Sequence, residues 1–539
     1  MSGLIILRAT FALLLAGALP AAERTSLIIL STTDLHGNIY PVDSATGRPD
    51  DRGLAKAAAE IENVRREGTP VLLIDTGDCL AGSVMAYHHA TRDALSPDPM
   101  MAAMNRLRFD AMVVGNHEWD FGWAYLEKAR RLARFPWLAA NVYERGGGAF
   151  FKPYVVREAG GVRVGIVGLT TTVIPNWDDP AQYLKRLEFR DPLPEAARWV
   201  KELRQRERVD VVVVAMHMGL EADPATGNGM PGQLPGENRA LAIARSTPGI
   251  DLMLMGHTHR EIRTLEVNGV LLVQPASWGR SVARADLTLE KQDGRWRVVG
   301  KTSRTISVAG VEPDPEVLRG ASAEYAATEK WLNQVIGESE TELRAGEERF
   351  QDAPLLDLVH RVQMEAGKAE VSLAESLNPT ARIPKGPVTV RDVFGLYSVE
   401  KKVVTLEVTG RQLREALEHS ARYFRGVVAG RSPEAWVDPE AASYNYYVAE
   451  GVTYDLDVSR PAGRRIVNLK HAGQEVGDGQ RFRLATNNYL ANGAAGYVMF
   501  REAKVLERSE KDLRELLVDW VRRNGRVPPT ANRNWQLLP

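Results

Sequence analysis

Cysteine is almost absent: Cys79 is the only one in 539 residues, so no intrachain disulfide forms and the fold must stand on its packed core. Excess charge is absent too. A formal net charge of -1 excludes an overall field that would recruit a nucleic-acid polymer or an anionic membrane surface, and leaves small-molecule chemistry as the expected partner class. Internal repeats and low-complexity segments are lacking, which excludes solenoid and disordered architectures. No apolar run reaches the roughly 20 residues that a membrane-spanning helix needs. The run from Phe11 to Leu19 is far shorter; with Arg8 before it and small residues after it, it has the layout of a secretory signal peptide. Cleavage after Ala18 or after Ala22 fits that layout. The expectation is a leader over 1–22 and a mature chain without a membrane span, periplasmic or secreted.

A chain of this length, 44% hydrophobic and 25% charged, is expected to form two or more ordinary globular domains. Six short apolar, β-branched runs punctuate the first half: Ser26–Thr32, Val71–Ile74, Ala111–Val114, Val162–Leu169, Val209–Ala215 and Ile250–Met255. Each reads as a strand buried on both faces. Helical stretches over Leu54–Arg66 and Pro192–Glu207 alternate with them, which predicts an α/β layer structure. Two prolines among acidic residues, Val311-Glu312-Pro313-Asp314-Pro315, precede a helix predicted from about Glu316 to Ile336. These features divide the chain into a first domain over 24–310, a linker helix within 311–337 and a second domain over 338–539. In the second, Thr409 is placed to cap a helix whose Leu413, Ala416, Leu417 and Ala421 share a core face. The Gly- and Pro-rich stretch from Glu221 to Glu237 reads as a loop at the mouth of a site.

Polar residues cluster just after the predicted strands. The first runs into Asp34-Leu35-His36, the second into Gly77-Asp78, the third into Gly115-Asn116-His117-Glu118-Trp119-Asp120, the fifth into His217-Met218-Gly219 and the sixth into Gly256-His257-Thr258-His259. In open α/β sheets ligands bind at the carboxyl ends of strands, so these clusters are expected to converge on one crevice. A lone His-x-His, or one Asp at a strand end, is ordinarily a satisfied structural residue or a helix cap. Five such clusters in order are not. Seven nitrogen and oxygen donors (Asp34, His36, Asp78, Asn116, His217, His257 and His259) exceed what one metal ion with an open position needs, so two ions are implied. A metal pair that polarises a phosphoryl oxygen and supplies a hydroxide at neutral pH suits phosphoester hydrolysis. Cys79 follows Asp78 but reads as a small buried residue.

The series Asp-x-His, Gly-Asp, Gly-Asn-His-Glu, His-x-Gly and Gly-His-Thr-His resembles the calcineurin-like metallophosphoesterases. The likeness extends along nearly the whole mature chain to the secreted two-domain 5'-nucleotidase family, and Pro99-Met100-Met101-Ala102-Ala103-Met104-Asn105, Pro248-Gly249-Ile250-Asp251 and Tyr444-Asn445-Tyr446 look most like its 2',3'-cyclic-nucleotide phosphodiesterase branch. The resemblance implies an N-terminal α/β sandwich, an interdomain helix and a C-terminal α+β substrate domain. It implies one divalent ion on Asp34, His36, Asp78 and His259 and another on Asp78, Asn116, His217 and His257, with Asp78 as bridge. The ions would be zinc, manganese or similar, since such donor sets accept several. It also implies a catalytic pair, His117 oriented by Asp120, and hydrolysis of nucleotides by attack of a metal-bound hydroxide on phosphorus. Arg349 falls near a phosphate-binding arginine of the family and Tyr489 where a base-stacking aromatic belongs; Arg382 lies close to the place of another expected arginine. Departures concentrate in the same pocket. Ser398-Val399-Glu400-Lys401 replaces a turn carrying an aromatic and an asparagine, and Ala495 stands where an aspartate would bind ribose hydroxyls. These leave two alternatives open: a non-nucleotide phosphoester as substrate, or a binding protein without catalysis. Nothing in the sequence signals an oligomeric state.

Overall fold

In the computed structural model the described residues are 23–539, apart from 45, 94–95, 177–182, 184, 231–232 and 398–399. The expected leader over 1–22 and the replaced positions Ser398 and Val399 lie outside the described residues. Among those described, no helix is long and apolar enough to cross a membrane.

The six predicted strands form, split between two six-stranded sheets. The first sheet has the spatial order Arg295–Ser307, Ser281–Gln292, Arg24–Thr32, Val71–Asp75, Ala111–Val113, Trp137–Leu138; the second runs Ile262–Val267, Val270–Gln274, Leu252–Leu254, Val211–His217, Val162–Thr170, Tyr154–Ala159. Strands buried on both faces need apolar cover twice. Between the sheets, Leu27, Ile29, Leu72 and Val113 meet Val164, Ile166, Val213 and Leu254. The outer face of the first sheet is covered from Leu54–Arg65, Pro99–Arg106 and Gly122–Leu132, and that of the second from Pro192–Gln205 and Ala240–Ser246. The result is a helix, sheet, sheet, helix sandwich. Contact between the layers is close at Gly168, where an added Cβ would lie 2.3 Å from Leu138 Cβ and 2.9 Å from its carbonyl carbon. Gly168→Ala is therefore expected to lower the urea unfolding midpoint, costing about 1–3 kcal/mol through overpacking.

The segment predicted as one helix from Glu316 to Ile336 is two helices, Pro315–Gly320 and Ser322–Leu332, and Ile336 belongs to the strand Val335–Ser339. The reason is local. Asp314 caps the first helix with Pro315 at its start, and Gly320-Ala321 breaks the turn before the second. A further core follows, around a five-stranded sheet ordered Tyr447–Glu450, Val371–Glu375, Arg481–Asn487, Lys402–Thr409, Lys504–Asp512. Thr409 caps the helix Gly410–Ser420 with Gln412 in a reciprocal capping box, and Leu413, Ala416, Leu417 and Ala421 are buried as expected. The two halves meet at Tyr87 of the helix Val84–Arg92, whose ring lies 6.5 Å from that of Trp331 and 5.5 Å from that of Phe394. Arg514 lies over Tyr87 and Phe394 and pairs with Asp512 and Glu400.

Candidate active site

Parallel pairing sets the direction of the loops. Arg24–Thr32, Val71–Asp75 and Ala111–Val113 are mutually parallel neighbours in one sheet, and Val211–His217 is parallel to Leu252–Leu254 in the other. Their carboxyl ends therefore open on one edge of the sandwich. Hydrogen bonds knit the ends together: Thr32 Oγ1 donates to Asp75 Oδ2 (2.6 Å), Thr76 Oγ1 to Met255 O (3.1 Å), and the His257 N–H to Asp34 Oδ2 (3.0 Å). Asp34, His36, Asp78, His257 and His259 all adopt left-handed backbone, with φ between 47° and 71°. For non-glycine residues that conformation costs energy, and its concentration here marks a functional constraint.

The structure gathers all seven expected donors, in two groups. Asp34, His36 and His259 form one, in which His36 Nε2 lies 2.9 Å from His259 Nε2 and His259 Nε2 lies 3.5 Å from Asp34 Oδ1. Asp78, His217 and His257 form the other; His217 Nε2 is 2.9 Å from Asp78 Oδ2 and 3.0 Å from Asn116 Oδ1. The tautomers of two rings are fixed by backbone carbonyls. His36 Nδ1 donates to Ala81 O and His217 Nδ1 to Thr76 O, both at 2.8 Å. The neutral His36 ring thus turns a bare Nε2 lone pair to His259, while His217 Nε2 faces a carboxylate oxygen and an amide oxygen. Burial opposes charge on the His217 ring, but without a metal Asp78 raises its pKa to about 9, so a cation, proton or metal, belongs between them. Oxygen and nitrogen lone pairs this close repel unless a cation lies among them, so the donor set fits divalent metal. Burial, with His259 and His117 nearby, depresses His36 to about 3, which keeps that ring neutral. Burial works against charge on Asp78, but the facing imidazoles of His217 and His117 hold it well below the usual carboxylate range.

Two acids act here that spacing alone does not reveal. Glu118, 1% exposed, accepts the backbone N–H of Asp78 (2.9 Å), Cys79 (2.7 Å) and Gly115 (2.6 Å), and so binds the second loop to the third. It stands inside the Asn-His-Glu motif, but only the fold shows that it turns back to orient the loop of Asp78. Glu237 closes the stretch predicted as a loop at the site mouth, and its Oε1 lies 2.9 Å from His257 Nε2. No sequence signal marks it. Cys79 is buried with Sγ 3.6 Å from Met112 Sδ, the ordinary packing role expected of it. Approach between the loops is tight: a Cβ on Gly115 would fall 2.2 Å from Asp78 Oδ1 and 2.7 Å from the Asp78 nitrogen. Gly115→Ala is expected to push Asp78 aside and weaken divalent-metal affinity by roughly 10–100-fold in calorimetric titration, with far-ultraviolet circular dichroism unchanged.

His117 Nδ1 lies 2.6 Å from Asp120 Oδ2, the pairing expected for an oriented imidazole, and its backbone N–H donates to Asp78 Oδ1 at 2.7 Å. The ring is 5.1 Å from that of His36, centre to centre. Burial opposes its protonation, but Asp120 and Asp78 carry its pKa well above the ordinary value.

The second domain brings Tyr489 to this edge. Burial raises its phenol, and so do Tyr444 and Glu237, the latter the acid that touches His257. The Lys401 ammonium sits 5.8 Å from the centre of the Tyr489 ring and 5.9 Å from that of Tyr397, and is ion-paired with buried Glu375, which also accepts from Tyr447 and Asn487. Arg349 is part-buried, donating to Gly346 O at 3.1 Å with its guanidinium 5.0 Å from the Phe350 ring centre. Arg382 is exposed in a two-residue strand paired with Leu343–Arg344. Ala495 is itself left-handed, with φ 49°, and its carbonyl accepts from His419 Nε2 at 2.8 Å.

Comparison with known proteins agrees with both halves. Residues 27–261 match the model of the calcineurin-like phosphoesterases, and 335–502 that of the 5'-nucleotidase C-terminal domain. A trifunctional nucleotide phosphoesterase of Bacillus subtilis is 27% identical across 96% of this chain, which spans only 39% of that longer protein. A 2',3'-cyclic-nucleotide 2'-phosphodiesterase/3'-nucleotidase of Haemophilus influenzae is 27% identical over 95% of this chain and 87% of its own length. Among solved structures, a Staphylococcus aureus protein assigned as a 5'-nucleotidase and bound to alpha-ketoglutarate superposes with a TM-score of 0.83, at 27% identity, over 96% of this chain and all of that one.

Proposed function

We propose, from the premise that this chain belongs to the family joining a calcineurin-like phosphoesterase domain to a 5'-nucleotidase C-terminal domain, that it hydrolyses nucleotide phosphoesters with two divalent ions held by Asp34, His36, Asp78, Asn116, His217, His257 and His259. Metal-dependent phosphoester hydrolysis is the activity of the family. The single observation that carries the ligand assignment is the convergence of His36 Nε2 and His217 Nε2, each ring held by a backbone carbonyl at Nδ1, onto other donors. Two ions held there would polarise the phosphoryl oxygens and lower the pKa of water at the site. Asp78 bridges the two groups, and Glu118 holds its loop in place. His117 presents Nε2 to the reacting side because Asp120 occupies Nδ1, and it donates a proton from Nε2 to the leaving oxygen. The predicted leader supports export, and the activities of the similar proteins support nucleotides as the substrate class.

Nucleotide is the substrate class that Tyr489 supports, through stacking of the base. Stacking on one aromatic is worth about 1–3 kcal/mol, so Tyr489→Ala is expected to raise KM for nucleotides by roughly 5–150-fold and to leave hydrolysis of a small aryl phosphate unchanged. A second reading is favoured by Lys401, whose ammonium stands where a base would meet Tyr489: the pocket then takes an anionic, non-nucleotide phosphoester. A metal-supplemented phosphate-release screen across 5'-nucleotides, 2',3'-cyclic nucleotides, sugar phosphates and aryl phosphates separates the two. Preference for nucleotides supports the first reading; indifference to the base, with equal loss of all substrates in Tyr489→Ala, overturns it.

A further inference from the structure

The helix Val84–Arg92 starts at the candidate active site, where Ser83 Oγ donates to Gly37 O at 2.9 Å, and carries His88 and His89 toward its far end. Both imidazoles turn to a single carboxylate on the helix Ser322–Leu332. His88 Nδ1 lies 2.7 Å from Glu324 Oε1, and His89 Nδ1 2.9 Å from Glu324 Oε2. Asp93, four residues past His89, adds a second carboxylate, and ligand atoms of His89, Asp93 and Glu324 all lie within 4.8 Å of one another. His89 is fully buried; Asp93 is exposed, so the cluster opens to solvent on the Asp93 side. Among the described residues nothing engages the Asp93 carboxylate; His89 Nε2 is buried without a hydrogen-bond partner, and Nδ1 is the ring nitrogen that faces Glu324. The adjacent cation is committed elsewhere: Arg92 donates to Glu515 at 2.8 Å and lies 4.7 Å over Trp331.

We propose that His89, Asp93 and Glu324 form a further divalent-cation site, separate from the candidate active site, with His88 holding the second Glu324 oxygen in position. A donor set of imidazole nitrogen with carboxylate oxygens suits a borderline ion of the zinc type, and the separation of His89 Nδ1 from Glu324 Oε2 is one that two ligands of a common ion adopt. The ion takes the lone pair of His89 Nδ1, and the neutral ring keeps its proton on Nε2. Bound there, it fastens the helix that begins beside Gly37 and His36 to the helix that links the two domains. It thereby stabilises the folded chain by linkage.

The test uses the full chain, stripped with chelator and dialysed against graded free zinc, with bound metal counted by plasma mass spectrometry. Asp93→Ala, a change at an exposed residue, is expected to remove about one zinc equivalent at intermediate free zinc and to shrink the zinc-dependent rise in Tm. Glu324→Gln is expected to do the same; Asp78→Ala, which empties the proposed catalytic pair, should leave the zinc equivalent that Asp93→Ala removes. Equal zinc content and equal Tm shift in native and Asp93→Ala chains overturn the proposal. A failure confined to Asp78→Ala counts against the catalytic ligands instead and leaves this site standing.

Discussion

Asp78→Ala is expected to abolish phosphate release from every phosphoester, lowering kcat/KM by roughly a thousandfold or more. Asp78 is the carboxylate proposed to serve both donor groups: His217 Nε2 lies 2.9 Å from its Oδ2, and ligand atoms of Asp78, His36 and His117 lie within 4.8 Å of one another. A bridging ligand positions two Lewis acids at once, and losing such a pair forfeits about 4 kcal/mol or more of transition-state stabilisation, each 1.36 kcal/mol being tenfold in rate. The fold should survive, because the loop around Asp78 is held independently. Asp34 N–H donates to Gly77 O, His36 N–H to Asp78 O, and Glu118 accepts the N–H groups of Asp78 and Cys79. Phosphate-release assays beside circular dichroism and a thermal melt separate the outcomes. Full activity in a folded Asp78→Ala chain contradicts the two-metal assignment.

His117→Ala carries the second-largest effect. Loss of a positioned proton donor is expected to reduce kcat by roughly 10²–10⁴-fold with little change in KM. The size should track the leaving group. An alkoxide such as a ribose oxygen needs the proton, whereas a nitrophenolate leaves readily without it, so the deficit on a nitrophenyl phosphate should be far smaller than on a nucleotide. Asp120→Asn keeps the imidazole but weakens its orientation, since Asp120 Oδ2 lies 2.6 Å from Nδ1; a loss of roughly 10–100-fold is expected. Steady-state kinetics on the two substrate types check both. An equal deficit on both would make His117 a residue that only orients Asn116.

Much of the first domain is legible in the chain because each of its chemical motifs follows a strand whose residues are apolar on both faces. Period and punctuation locate those strands within about two residues, and the carboxyl-end rule then turns five separate motifs into one crevice. What spacing does not carry is direction. Glu118 reads as part of a motif, yet its work is to accept backbone N–H groups from a loop about forty residues earlier, a contact that exists only once the two strands lie side by side. Glu237 lies in an irregular stretch with no periodicity, so its approach to His257 is visible only in space. The linker reads as one helix because its composition favours helix throughout; the break at Gly320-Ala321 is local, and the strand from Val335 follows from pairing with Gly386–Thr389, far away in sequence. In the second domain the fold commits Lys401 to Glu375 and to the faces of Tyr397 and Tyr489, which no local pattern foretells. Arg382 lies exposed in a two-residue strand, a placement its nearness in sequence to a motif does not foretell.

The central claim is that seven residues from five loops hold two metal ions with Asp78 between them. Anomalous diffraction from crystals of the full chain soaked in manganese, recorded above and below the metal edge, tests it most directly. Two peaks roughly 3.5–4 Å apart are expected, one among Asp34, His36 and His259 and one among Asn116, His217 and His257, with Asp78 touching both. A single peak, or none within reach of Asp78, in crystals of the folded chain would contradict the account.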